Sequence, residues 1–484
     1  MTMRNDTVIA NSSERTMTQL IFRSAQHALM ISMTVAGAAG AQMAAGAPPS
    51  ATSTRVVLRQ LPAAAATSTD SIGSVAAVRQ LPNGNVLVND QARRRVVLMD
   101  PAMKVIGIVA DSTSSTNNAY GVRPGGMIAY RGDSTLFIEP AGLSMLVIDP
   151  AGKIIRTMAA PRANDVNFLI GGPLGTPGFD SRGRLVYRTM DFGMRGMRPP
   201  QPGQPFVMPT PPDSSALVRF DLGARKLDTV GFFKIPKTNV QTSQDANGGL
   251  RMSVTVNPLP VVDEWAVLSN GTVAFVRGQD YHVDFIDAGG VSTRAEKIPY
   301  EWQRLSDDDK SRFLDSAKVA IEKLRATATA GGGAATAGAA MAAAAGFGGV
   351  GGGGGAPMMI TITREGPASG PPGGGATRVD VGGPGGMQMP PISMVPASEL
   401  PDYKPVFGTG AVRADMDGQL WVRTIPTKPT TGGAIYDVID AAGRLVDRVQ
   451  VPVGTTIAGF GARGIVYLGM RNASGLHLQR IVSK

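Results

Sequence analysis

Five short apolar runs end in polar or charged residues at matching places, and those ends are where chemistry could gather. Each run follows a small turn. They read NVLVND, STLFIE, RLVYR, TVAFVR and QLWVR. Their ends are Asn89 and Asp90, Glu139, Arg188, Arg277 and Arg423. Arg188 and Arg423 both stand five residues after the turn glycine, whereas Arg277 is displaced by one. A slip of one residue turns a strand side chain to the other face, so Arg277 points away from the other two unless a bulge intervenes. Asp280, Tyr281 and His282 follow close behind Arg277. Together these residues make a polar mouth of mixed charge. Its arginines could grip a carboxylate or a phosphate with paired N–H groups. The plainer alternative is that they pair with acids of neighbouring strands.

Other chemistries fail on inventory. The chain has no cysteine, which removes disulfides, thiolate catalysis, zinc ribbons and a lipid-anchored cysteine together. Its three histidines are His27, His282 and His477. His27 falls in a leader described below, so the mature chain cannot build a three-histidine metal site. His282 alone is more often a satisfied strand residue than a catalytic base. Met190, Met194, Met197 and Met208 could offer thioethers to Cu(I), but a Met-Pro loop more simply packs on itself. The glycine run 351–355 lacks the Lys-Ser/Thr of a phosphate loop. No Gly-x-Ser-x-Gly elbow stands beside a usable histidine and acid. The net charge is +10, yet the basic residues form no continuous block with interleaved aromatics, so nucleic acid is not an expected partner.

The elements that must carry these residues repeat. A polar turn, usually with glycine, followed by a β run occurs six times: at Asn83-Gly84, Gly132-Asp133, Arg182-Gly183, Asn270-Gly271, Asp417-Gly418 and Arg463-Gly464. Such turns between β runs are strong hairpin signals. A second unit follows the first five: an apolar strand ending in Asp, a small turn, another strand. The aspartates are Asp100, Asp149, Asp221, Asp287 and Asp440. An Asp there can hydrogen-bond its own turn, so these five are assigned a structural role. Each repeat is then a four-stranded antiparallel meander, and six copies predict an all-β, six-bladed β-propeller. Thr455–Gly461, Ile465–Met470 and Leu476–Val482 leave the sixth blade one strand short. The run Thr54–Gln60 is the expected closing strand.

These residues resemble six-bladed propellers of the NHL-repeat, TolB-like type, especially secreted bacterial ones. The likeness is carried by WAVLSNGTVAFVRGQDYHVD from Trp265 to Asp284, by LPDYKPVF from Leu400 to Phe407, and by GQLWVR from Gly418 to Arg423. It spans nearly all of residues 52–484 except the insertions. It speaks for fold more than activity, because propellers host unrelated functions. Lactonase-like members hold a hard divalent metal in the channel with Glu, Asn and Asp oxygens. Here Glu264, Asn89, Asp90 and Asp280 are the candidates, with Glu264 and Asp280 foremost and calcium the metal implied. No spacing demands such a site, and no cofactor is expected. The histidine-zinc lyases of this type need more histidines than remain.

Three insertions interrupt the repeat: Thr189–Ser214 within blade three, Pro236–Pro260 after it, and Tyr300–Val395 between blades four and five. The expected layout is therefore blades one to four with the closing strand over 52–299, an insertion over 300–395, and blades five and six over 396–484. The insertion opens with a helix over about 306–326, capped by Ser306 and started by Asp307, Asp308 and Asp309. Phe313, Ala317, Ala320 and Leu324 form its expected apolar face, packed on the propeller. Ala/Gly-rich sequence follows, with disorder expected from about 328 to 392 and brief strands conceivable at Met359–Thr363 and Thr377–Val381. All three insertions fall where second-to-third loops and blade-to-blade links lie, which share one face of the disc.

Residues 1–41 read as a signal peptide with an upstream extension. Arg23 and His27 precede an apolar stretch from Ala28 to Ala39, and Ala39-Gly40-Ala41 suits signal peptidase. The apolar run is short for a membrane span, and no second one follows. A periplasmic or extracellular monomer is expected. Its expected role is to bind a protein, small molecule or carbohydrate through the loop-rich face. The alternative is a calcium-type hydrolase, a lactonase or esterase, with its site in the central channel.

Overall fold

An apolar run without alternation must be covered on both flanks. A ring of radially stacked sheets does this, because each blade lies between two others. The computed structural model describes residues 56–172, 175–189, 212–237, 239–244, 250–330, 392–428 and 430–483, and these form a six-bladed propeller. Blade one is Val75–Gln80, Val86–Asp90, Arg95–Met99 and Val105–Ala110. Blade two is Gly126–Ala129, Thr135–Glu139, Ser144–Ile148 and Ile154–Ala159. Blade three is Gly178–Phe179, Leu185–Thr189, Ser214–Asp221 and Lys226–Lys234. Blade four is Glu264–Val267, Val273–Arg277, His282–Ile286 and Ser292–Arg294. Blade five is Val412–Ala414, Leu420–Thr424, Ile435–Ile439 and Leu445–Gln450. Blade six is Thr455–Phe460, Ile465–Asn472, Gly475–Val482 and, from the other end of the chain, Ala66–Thr67. Within each blade successive strands pair antiparallel, and the first strands of successive blades pack side by side round the axis.

The cores lie between blades. Val86 and Val88 pack with Tyr467 and Leu478 of blade six, while Leu87, between them in sequence, packs with Phe137 of blade two. Four further clusters fill the remaining seams: Leu136 with Tyr187, Val186 with Phe275, Val276 with Leu420, and Trp421 with Leu468. Burying one such side chain stabilises by about 1.5–3 kcal/mol, so every blade depends on both neighbours. The turns match their residues. Gly271 has φ +84°, and a Cβ there would sit 2.2 Å from the Ser181 amide nitrogen of blade three. Only glycine fits both constraints. All five strand-end aspartates accept hydrogen bonds from their own turns: Lys104 N to Asp100 at 2.9 Å, Lys153 N to Asp149 at 2.8 Å, Gly223 N to Asp221 at 2.8 Å, Val291 N to Asp287 at 2.9 Å, and Arg444 N to Asp440 at 2.9 Å.

Ring closure differs from the sequence expectation. The strong β run at the N-terminal side pairs as Leu58–Gln60, parallel to Leu445–Gln450, and becomes a fifth strand of blade five. The strand that completes blade six is the short Ala66–Thr67. Ser68 extends the join: its carbonyl lies 2.9 Å from His477 Nδ1, and its hydroxyl accepts the Leu478 N–H at 3.0 Å.

The second and third insertions fold together. Asn239–Gln244 and Leu250–Val256 form a hairpin, and Ile392–Met394 joins it in parallel with Leu250–Val256. Among the described residues, the buried side chains of helix α1 (Asp307–Ala330) pack on this small sheet and on the segment after it. Val256 meets Ile321 and Met394, while Leu259, Val395 and Leu400 meet Leu314. The buried line is thus Lys310, Leu314 and Ile321, and Ala320 of the expected face is exposed. The start of α1 is a reciprocal cap. Asp309 N–H donates to the Ser306 hydroxyl at 3.2 Å, and the Asp309 carboxylate accepts the Ser306 N–H at 3.0 Å. The Ser306 hydroxyl bond, first among the causes, holds Asp309 down at about 2. The leader, the Met-rich loop with Met190, Met194, Met197 and Met208, and the Ala/Gly-rich stretch from 331 to 391 lie outside the described residues.

Candidate functional site

The innermost strands decide what the channel presents. Their first residues on the loop-rich side are Val75, Gly126, Gly178, Glu264, Val412 and Thr455. Glu264 alone among them is ionisable. It is 4% exposed, and Oε1 accepts the Gly410 N–H at 2.8 Å. Burial, the largest influence, pushes its carboxyl up to about 8, against the pull of that bond and of the Arg188 and Arg423 charges. The side chain is therefore mostly neutral at pH 7 and can donate as well as accept.

Arg188 and Arg423 come to Glu264 from the second strands of blades three and five. Arg188 is 4% exposed. Its Nε donates to Ser215 Oγ at 3.0 Å, and its guanidinium lies 5.5 Å over the Phe233 ring. Burial pulls it down to about 10, partly offset by Glu264, so it stays cationic at neutral pH. Arg423 is half-buried and makes no side-chain hydrogen bond among the described residues.

The other sequence candidates are placed elsewhere. Asn89 is buried between blades one and two, donating to the Gly125 carbonyl at 2.8 Å and accepting from the Tyr120 hydroxyl at 2.9 Å. Asp90 accepts the Gly73 and Ser74 N–H groups at 3.0 Å and pairs with Arg95 at 3.2 Å. Glu139 closes the next turn by accepting from Ala141 N at 3.1 Å and from Gly142 N. Arg277 is held by Asp284 at 2.8 Å and Asp263 at 2.9 Å. His282 is clamped between Asp280 at 2.7 Å and Asp284 at 3.2 Å. Asp280 also meets Arg294 at 2.8 Å and Lys297 at 3.5 Å. Burial alone would raise Asp280, but the His282 bond and the two cations hold it low. This ion-pair strip runs along blade four and uses its own donors and acceptors.

Glu264 and Asp280 are not brought together as metal ligands. Among the described residues no group of three or more His, Cys, Asp or Glu side chains is placed to hold a metal ion. Two shallow grooves open on the tight-turn face, one lined by Asn270, Asp287 and Arg294, the other by Arg59, Trp421 and Asp447. Neither touches the Glu264 group. Three residues relevant to the channel escaped sequence reasoning: Thr409, Gly410 and Arg413. Thr409 and Gly410 sit in a loop with no repeat signature. Arg413 lies between Val412 and Ala414, and that alternation on an innermost strand was its only signal.

No protein-family model and no curated protein matches the chain. Solved structures give distant likenesses. A putative exported protein of Bacteroides fragilis is 8% identical over 89% of this chain and 95% of its own, with a TM-score of 0.37. A gluconolactonase of Xanthomonas campestris is 10% identical over 87% and 99%, with a TM-score of 0.33. A catalytically inactive virginiamycin B lyase of Staphylococcus aureus is 10% identical over 85% and 82%, with a TM-score of 0.32. Likenesses this remote touch the fold alone. The propeller here rests on its own strand pairing and six seams.

Proposed function

We propose that this chain is an exported β-propeller, of the secreted NHL-like kind its repeats resemble, and works as a binding module through its loop-rich face. The ligand sits at the channel mouth, where Arg188, Glu264 and Arg423 converge from blades three, four and five. That convergence carries the reading: the charges of Arg188 and Arg423, from the blades on either side, both act on Glu264. Export rests on the Arg23–Ala41 pattern. No helix among the described residues is long and apolar enough to cross a membrane. The calcium-type hydrolase is the weaker alternative, since no group of three or more His, Cys, Asp or Glu side chains among the described residues is placed to hold a metal ion.

The test is a thermal-shift screen of small molecules and sugars on the protein from Gln42 onward, beside E264Q and R423Q. A ligand that binds the folded state raises the midpoint by mass action. The reading expects ligands that shift the wild type and fail on R423Q. Turnover of lactone or ester substrates that needs calcium would overturn it in favour of the hydrolase.

A further inference from the structure

We propose that the channel takes a small organic oxyanion, a carboxylate or a phosphate ester, held by Arg423 and Arg413, with the Thr409 hydroxyl, from the loop that leads into the Arg413 strand, as a further donor. This rests on the binding reading above and names its ligand class. The six innermost strands carry three ionisable side chains: Arg79, Glu264 and Arg413. Arg79 is engaged near the tight-turn face, donating to Thr135 Oγ1 at 2.8 Å and to the Ser134 carbonyl at 3.2 Å. Arg413 donates once from its side chain, from Nη1 to the Ile457 carbonyl at 2.8 Å. It has no acidic partner among the described residues. Burial pulls Arg413 down; Tyr436 acts the other way, and the Arg423 charge adds a smaller downward pull. Two guanidinium groups on one blade thus repel each other with no carboxylate between them.

Thr409 makes a separate case. It is 5% exposed, and its Oγ1 has no hydrogen-bond partner among the described residues. It directly precedes Gly410, whose N–H meets Glu264. A buried hydroxyl without a partner is costly, and a cation without an opposite charge beside it costs more. One guest relieves both. An oxyanion accepts from each arginine and from the hydroxyl, while the neutral Glu264 carboxyl adds no repulsion. A neutral sugar would satisfy Thr409 but not the charges. A metal cation would worsen them.

Calorimetry on the full chain settles it, with succinate, glucose 6-phosphate and inorganic phosphate as probes and glucose as the neutral control. The expectation is binding by the carboxylate or the phosphate arm, whichever shape the channel admits, and none by glucose. R423Q and R413Q should each weaken binding about tenfold or more, and T409V several-fold, with R413K restoring part of the loss. Circular dichroism checks folding. T409V, nearly isosteric, keeps the test decisive if an arginine variant unfolds. If no anion binds while a neutral ligand binds and is lost in R423Q, the oxyanion is wrong and the channel mouth stands. If anions bind the wild type and every variant equally, the site is elsewhere and both readings fall.

Discussion

Replacing Glu264 by glutamine should stabilise the protein, and by an amount that grows with pH. The carboxyl is moved from an ordinary 4.5 to about 8 by burial. Between those values the folded chain holds a proton that the unfolded chain releases. Folding therefore takes up a proton, and stability falls as pH rises through this window. Integrating over the gap gives a loss of about 1 kcal/mol at pH 5, about 3 at pH 7 and about 5 at pH 9. Glutamine keeps an oxygen for the Gly410 N–H and never ionises. The difference between E264Q and wild type should follow the same rise, since all other groups titrate in both. Urea unfolding at the three pH values measures it. Trp265, adjacent in sequence and 1% exposed, supplies the fluorescence signal. A difference that stays flat from pH 5 to pH 9 would show that Glu264 ionises normally, and the neutral-acid argument would fail.

Other outcomes follow from single contacts. G271A should lose about 2 kcal/mol or more, because alanine at positive φ is strained and its methyl would meet the Ser181 backbone; the urea midpoint checks this. Trp421 Nε1 donates to Asp415 Oδ2 at 3.0 Å inside the fold. W421F should therefore cost about 1–3 kcal/mol beyond any packing change, since a buried acceptor is left bare; a W421F and D415N double-mutant cycle isolates the pair. EDTA should leave the thermal midpoint unchanged and calcium should not raise it; a drop that calcium reverses would contradict the arrangement around Glu264.

The repeats were legible because each turn carries its own chemistry. Glycines at positive φ and aspartates bonding their own turns are local demands that leave local marks. Closure was legible only as a need. Thr54–Gln60 carried the stronger β signal, yet the parallel edge of blade five took its last three residues, and two plain residues closed the ring. Propensity cannot rank partners that lie at opposite ends of the chain. The helix cap was written in Ser306 and Asp309, and Phe313 of the expected face does pack inward, but the deeper positions Leu314 and Ile321 were missed. That face is set by Val256 and Met394, which arrive from two separate insertions. At the site, register singled out Arg188, Arg423 and the odd Arg277. Burial, which makes Glu264 neutral and leaves Thr409 without a partner, is a property of the assembled ring.

The join at Ser68 also sets the order of events in folding. Ser68 and His477 are 409 residues apart, so the piece that seals the sixth blade waits for the final strand to be made or delivered. Until then one flank of blade one and one of blade five stay wet, and the first five blades form an open crescent. Contacts this distant in sequence make folding slow. A chain cut short anywhere before Gly475–Val482 would lose more than a strand: it would have no means of becoming a circle.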